Sequence, residues 1–261
     1  MPEGHTIHRA ARDQRPMLVG KTLEVSSPQG RFTENAADLD GQTCTGIDAY
    51  GKHLFYSFGN GLAMHIHLGL FGKFRARKLP FAAPRGAVRV RMISASHIVD
   101  VNGPSACEVL DPPAMAVILA RIGPDVLRED ADRELAWQRI HKSRVGIGQL
   151  LMDQSVVAGI GNIYRSEILW RQQLHPRTPG NQIDRAMFDA IWADAVRLLQ
   201  IGVANNAIIT VDGVKKSRSR YGERVNIFNK PHCPRCAGEI VRFEIAARRA
   251  FVCDTCQPLI V

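Results

Sequence analysis

Four of the six cysteines fall into two pairs with metal-binding spacing. Cys233-Pro-Arg-Cys236 and Cys253-Asp-Thr-Cys256 are C-x2-C units separated by sixteen residues, the spacing of a zinc ribbon. Each unit turns tightly enough for two thiolates to bind one ion. Two such knuckles on adjacent strands complete a tetrahedral site with no open position, so one structural Zn2+ is expected. Disulfides are the competing reading. The first residues show no basic cluster followed by an apolar run, hence no export signal, and that argues for reduced thiols in a cytoplasmic protein. His232 adjoins the first ligand, but the set is complete without it, while Cys44 and Cys107 stand alone.

Charge points to the same region. The chain carries +9 over its 261 residues, and between Gly213 and Ala250 ten basic residues face three acidic ones. A polyanion partner fits that imbalance, nucleic acid being the commonest, and a solvated basic face is the alternative. Lys215-Lys-Ser-Arg-Ser-Arg220 reads as a mobile loop ahead of the ribbon. With 45% hydrophobic and 23% charged residues, the chain has ample material for a core of one large or two small domains. No stretch approaches eighteen consecutive apolar residues, so no membrane span is expected.

The elements that must position these groups fall into three regions. Thr6 to about Val19 has helical periodicity, with Pro16 near its end and Gly20 as a stop. Short strands follow: Lys52–Phe58, the turn Gly59-Asn-Gly61, Leu62–Leu68, Val88–Ile93 and His97–Val101. This mostly β half ends near Pro112-Pro113. Helices then read over Ala114–Ile122, Ala131–His141, Ile147–Asp153, Asn162–Gln172 and Asp184–Leu199. Gly159 and Gly161 flank Ile160, with Asn162 at the next N-cap, describing a tight helix-turn-helix whose second N-terminus offers amides to an anion; a plain helical hairpin in a core is the alternative. Glu239–Ile245 and Arg249–Val252 suit the two ribbon strands.

Three separated motifs then converge. The start Met1-Pro2-Glu3-Gly4, the segment Asp153-Gln-Ser-Val-Val-Ala-Gly-Ile-Gly-Asn-Ile-Tyr-Arg-Ser-Glu-Ile-Leu-Trp170 and the terminal four-cysteine ribbon together resemble the formamidopyrimidine-DNA glycosylase and endonuclease VIII family. The resemblance spans nearly the whole chain in the family's order. It implies an α+β fold with an N-terminal β-sandwich and flanking helices over 2–113, a helix-two-turn-helix domain over 114–212 and a basic loop with a zinc-ribbon β-hairpin over 213–261. It implies an enzyme that excises oxidised bases and then cuts the backbone at the abasic site. Damaged DNA, duplex or single-stranded, is the expected partner of a monomer with no membrane association.

The same resemblance assigns roles by position. Once Met1 is removed, Pro2 has a free secondary amine that can attack the deoxyribose C1′ to give an iminium; an α-amine titrates near ~8 and is partly neutral at physiological pH. Glu3 resembles the general acid/base, and Lys52, in Tyr50-Gly-Lys-His53, the phosphate-contacting lysine that assists β-elimination. Arg248 matches the zinc-hairpin arginine that clamps phosphate, with Arg249 in the alternative register. Arg121 and Asn162 match backbone-binding positions. His67-Leu-Gly-Leu-Phe-Gly72 resembles the wedge loop that fills the space left by an extruded base, with Leu70 and Phe71 as the inserting side chains or, alternatively, core residues. His65 and His67 lack a third metal ligand and read as structural or DNA-lining.

Two departures stand out. His5-Thr6 replaces the family's Pro-Glu, removing a second N-terminal carboxylate, and Gly69 stands where endonuclease VIII can carry a polar wedge residue. The Pro-Glu-Gly start and Leu-Phe-Gly wedge lean towards the endonuclease VIII branch and oxidised pyrimidines. The alternatives are a catalytically silent DNA-binding relative and a zinc-ribbon transcription or RNA-associated factor.

Overall fold

The structure, a computed structural model, describes residues 2–80 and 83–259. Its contacts divide into two compact units, Met1–Arg121 and Ile122–Val261.

In the first unit, α1 (Gly4–Leu18) begins two residues before the expected Thr6, directly after Glu3 in extended conformation, and buries Ile7, Ala10, Ala11 and Leu18. Pro16 is tolerated in the last turn, which closes through Val19 N to Arg15 O. There follow β1 (Lys21–Thr22), β2 (Glu24–Ser26), α2 (Thr33–Leu39), β3 (Thr43–Tyr50), β4 (His53–Phe58), β5 (Ala63–His67), β6 (Lys73–Lys78), β7 (Val88–Ile93), β8 (His97–Asn102), β9 (Ala106–Leu110) and α3 (Pro112–Arg121). Two antiparallel sheets result, ordered β1-β3-β4-β5-β9 and β2-β7-β8-β6. Leu54, Tyr56 and Ile66 of the first share one core with Val90, Met92 and Val99 of the second, which makes the unit a β-sandwich. Arg91 and Asp100, register partners on β7 and β8, form a buried bidentate pair at 2.7 and 2.8 Å, so a charged residue in the strand costs no unpaired charge.

Helix α3 packs on β9 and belongs with this unit, so the units meet after Arg121, whereas the sequence placed the change at Pro113.

The second unit contains α4 (Arg133–His141), α5 (Ile147–Leu150), α6 (Asn162–Arg171), α7 (Arg185–Asn205), β10 (Val241–Ile245) and β11 (Arg248–Val252). Asp132 and Asp184 cap α4 and α7 by accepting from the amides of Leu135 and Met187. Every residue of α6 from Asn162 to Trp170 is buried. The hairpin residues Phe251, Cys253 and Cys256 join the same core as Ile168, Leu169 and Trp170.

Glu167, wholly buried in α6, accepts from Thr210 Oγ1 at 2.5 Å, Asn226 N at 2.7 Å, and Ile227 N and Phe228 N at 2.9 Å. Those bonds satisfy its charge and fix the chain that leads to the hairpin. The basic segment between them folds into two 3₁₀ turns, Lys216–Arg218 and Tyr221–Arg224. Among the described residues, no helix is long and apolar enough to cross a membrane.

Candidate functional site

The N-terminal pair sits at the start of α1. Pro2 is half-buried, and Glu3 is 0% exposed, held extended as the N-cap residue without a side-chain cap bond. A carboxylate in that position lies at the positive end of the helix dipole, which favours its charge. His5, the second residue of the helix, is 4% exposed, and burial pushes its pKa down to about 4. It therefore occupies its place as a neutral ring rather than as a substitute charge.

Lys52 lies in the turn from β3 to β4, after Gly51, on the sheet against which α1 packs. The neighbouring strand faces carry a row of histidines that hydropathy could not order. His53 and His67 are register partners on β4 and β5, and His65 and Glu108 are partners on β5 and β9. His53 Nδ1 is 2.8 Å from His65 Nε2, and His65 Nδ1 is 2.8 Å from Glu108 Oε1. The His53 and His65 rings stack at 5.0 Å, and His65 stacks on Phe55 at 4.8 Å. His67 Nδ1 instead meets Ser105 Oγ at 2.8 Å. His65 and His67 are thus parts of separate hydrogen-bonded pairs rather than one metal pair. Sequence reasoning marked neither His53 nor Glu108, because only the strand register brings them to His65.

The loop after β5 presents its apolar tip to solvent: Phe71 is 89% exposed and Leu70 47%, so both lie outside the core. The loop closes through Gly72 N to Leu68 O at 3.0 Å. A Cβ on Gly72 would lie 2.3 Å from that oxygen, and one on Gly69, at φ +64, would lie 2.9 Å from the Ser105 side chain. A side chain at Gly69, polar or not, would therefore crowd Ser105 and strain a left-handed backbone.

In the second unit, the N-cap of α6 is Gly161, and Asn162 is the first helical residue rather than the cap expected from sequence. The glycine supplies the extended cap conformation, which leaves the Asn162 side chain for another task. Its Nδ2 donates to Arg249 O at 3.1 Å, and buried Arg165 donates to the same carbonyl at 3.0 Å and also bonds Asn162 Oδ1. These bonds anchor the hairpin one residue from Arg248, whose exposed guanidinium lies at the start of β11 and donates to Ala247 O at 3.2 Å. Arg249 contributes its backbone to the anchor. Arg121 is exposed at the end of α3, in the first unit.

The four hairpin cysteines converge, their sulfurs all within 4.8 Å of one another, with Cys233 to Cys256 at 3.8 Å and Cys236 to Cys253 at 3.4 Å. All are free thiols, and a tetrahedral ion with ~2.3 Å bonds to sulfur needs edges of about 3.8 Å, so the donor set suits one soft ion. Burial raises the Cys233 thiol, but donation from Trp170 Nε1 at 3.3 Å and from backbone amides outweighs it and brings the pKa down to about 6. Gln257 ties the second knuckle down, accepting from Cys253 N at 3.1 Å and donating to Leu174 O at 2.7 Å.

Comparison with known proteins follows this geometry domain by domain. Residues 1–103 match the formamidopyrimidine-DNA glycosylase N-terminal domain, and residues 122–212 match the formamidopyrimidine-DNA glycosylase H2TH domain. Over 98% of the chain and 100% of the relative, the sequence is 42% identical to Endonuclease 8 1 of Mycobacterium tuberculosis. The chain belongs to the formamidopyrimidine-DNA glycosylase family. Members of this family are DNA glycosylases and AP lyases. The formamidopyrimidine-DNA glycosylase of Thermomicrobium roseum is 26% identical over 99% of this chain and 100% of the relative. A solved Lactococcus lactis member of the family, a variant in complex with Fapy-dG-containing DNA, superimposes with a TM-score of 0.79 at 25% identity, covering 98% of this chain and 100% of that one.

Proposed function

We propose that this family member is a bifunctional DNA glycosylase and AP lyase acting on oxidised bases, chiefly pyrimidines, in cytoplasmic base excision repair. The observation that carries the reading is the junction at α1. A proline that becomes an α-amine on removal of Met1 is joined to a carboxylate buried at a helix N-terminus. The 42% identity to an endonuclease 8 supports the pyrimidine branch.

In this reading the neutral Pro2 nitrogen attacks C1′ of the damaged nucleoside. The C1′–N glycosidic bond breaks, its electron pair leaves with the base, and Glu3 supplies and removes protons at the base and opened sugar. The C1′–O4′ bond then opens, O4′ taking a proton from Glu3, and the resulting C1′=N iminium acidifies C2′–H. Loss of that proton and expulsion of the 3′ phosphate cut the strand, with the Lys52 ammonium on the phosphodiester. Arg248 clamps a phosphate and supports the second elimination, with Arg121 on the backbone and Asn162, whose buried side chain bonds Arg249 O and Arg165, acting through the hairpin it anchors. Phe71 and Leu70 fill the space vacated by the extruded base. The four cysteines suit Zn2+, which would hold the hairpin that carries Arg248 and supply no chemistry of its own.

The test is borohydride trapping with protein whose Pro2 N-terminus has been verified by mass, on thymine-glycol or abasic-site duplex. An adduct mapping to Pro2 is expected. Pro2→Gly and Glu3→Gln should each lower strand cleavage by at least ~100-fold while lesion-DNA binding survives. Wild-type cleavage by Pro2→Gly would overturn the assignment. Binding of abasic DNA with no adduct would point to a silent relative.

A further inference from the structure

The loop that carries Leu70 and Phe71 has a neighbour at its edge of the sandwich. β5 pairs with β9 in one sheet, with His67 opposite Ala106, and β6 pairs with β8 in the other, with Lys73 opposite Asn102. The chain therefore crosses between the sheets twice at the same place, through residues 68–72 and through residues 103–105. The second crossing is short and held along its length: Gly103 N donates to Ala87 O at 3.2 Å, Pro104 is buried, and Ser105 N donates to His67 O at 2.8 Å. Its glycine, proline and serine offer no large side chain to a base stack. Ser105 Oγ sits where the two crossings touch. It donates to His67 O at 3.0 Å and lies 2.8 Å from His67 Nδ1, a contact made equally by a neutral ring protonated on Nδ1 and by an imidazolium. Gly69, at φ +64, passes so near that a Cβ there would lie 2.9 Å from the same side chain.

We propose that Ser105 is a positioning residue for the wedge, fixing the departure of the loop from His67 through Gly69 and so the direction in which Leu70 and Phe71 enter the duplex. The inference deepens the glycosylase reading above and rests on the wedge role given there to Leu70 and Phe71. Phe71, at 89% exposure, has little packing of its own with which to orient the loop. Orientation has to come from the base of the loop, where buried Leu68 accepts from Gly72 N on one side and His67 is held by Ser105 on the other. A wedge free to swing would lose that freedom at the moment of insertion, at a cost to the rate. Ser105 removes the freedom beforehand, because the crossing it belongs to is itself pinned at Ala87 and by Pro104. The role is confined to paired substrates. A wedge matters where an extruded base leaves a gap in a stack, whereas grip on the phosphates is set elsewhere.

The test uses full-length protein with a verified Pro2 N-terminus and two duplexes. In one, 2-aminopurine stands opposite a tetrahydrofuran abasic analogue, so its fluorescence reports insertion without chemistry. The other carries thymine glycol and is excised in single turnover under saturating enzyme, where an unfolded fraction leaves the rate unchanged. Ser105→Ala should bind the first duplex within about 2-fold of wild type, lose most of the fluorescence response, and excise about 3- to 10-fold more slowly. Ser105→Thr keeps the hydroxyl and should recover most of the rate. In a Leu70→Ala/Phe71→Ala chain, adding Ser105→Ala should slow excision by no more than about 2-fold further, since no wedge remains to be aimed. A wild-type response and rate for Ser105→Ala would overturn the proposal, as would a Ser105→Thr no better than Ser105→Ala, or an undiminished loss in the wedge-free chain. A wild-type response from the Leu70→Ala/Phe71→Ala chain would remove the wedge reading and the proposal with it. Wild-type protein that gives the response yet excises nothing would remove the glycosylase reading alone, and the fluorescence of the Ser105 variants would then decide.

Discussion

Phe71 is a large apolar side chain that folding does not bury, and it stands on a loop whose two glycines cannot be replaced without collision or strain. A residue exposed in this way costs hydration in the free protein and contributes little to stability. Phe71→Ala should therefore leave the unfolding free energy within about 0.5 kcal/mol of wild type. Excision from a lesion duplex should fall about 10-fold or more, because one base-sized stacking contact is lost. Equal excision rates in a single-turnover assay would return Phe71 to the status of an incidental surface residue. Leu70 and Phe71 could be named from the Leu-Phe-Gly pattern, but whether they faced core or solvent depended on the closure of Gly72 on Leu68.

Among the elements, the ribbon hairpin and α6 are joined by side chains rather than by chain connection. Trp170 donates to Cys233 Sγ, and the Arg235 guanidinium stands 4.5 Å from the Trp170 ring centroid. Chelation should release one zinc per chain, change Trp170 emission and weaken DNA binding about 10-fold as the anchor of Arg248 loosens. A Trp170→Phe chain should lose the emission change and keep the release. Unchanged binding after verified metal loss would sever the hairpin from DNA contact. The hairpin itself was legible from cysteine spacing and alternation, as was β7 to the residue. Its turn was not, because Ala246 and Ala247 adopt positive φ (49° and 56°) without the Asn or Gly that marks such a turn. Strand β3 and the charged strand β6 escaped notice for a related reason. Their faces are set by neighbours in the sheets, and Lys73–Lys78 has too little apolar alternation to announce itself. The histidine row was invisible on the same grounds, since residues 53, 65 and 108 meet only through register.

At the scale of the whole molecule, the buried histidines of the first unit make its stability depend on pH. His5 has a folded pKa of about 4 against about 6.5 when unfolded, so as pH falls below 6.5 the unfolded chain takes up a proton that the folded one refuses. Its stabilising contribution is full above pH 6.5 and is lost progressively down to about pH 4. By pH 5 the loss from His5 is about 2 kcal/mol, and His53 acts in the same direction. Denaturant unfolding followed by far-UV circular dichroism should show this loss between pH 7 and 5, and a His5→Gln chain should show about 2 kcal/mol less of it. An identical loss in both chains would exonerate His5.

The basic segment ahead of the hairpin is stitched shut at its base. Thr210 N donates to Arg224 O at 2.8 Å, while Thr210 Oγ1 and Asn226 N both end on Glu167. Between those stitches the segment is also held at Asp212, which accepts from Arg171 of α6 at 3.2 Å and Arg197 of α7 at 3.0 Å, and at Lys216, which donates to Asn205 O at 2.9 Å. Doubling the length of a loop closed in this way costs only about 0.6 kcal/mol in closure entropy. The segment is in effect a cassette of cationic chain fastened at both ends, whose length can change at little cost to the helices it is tied to.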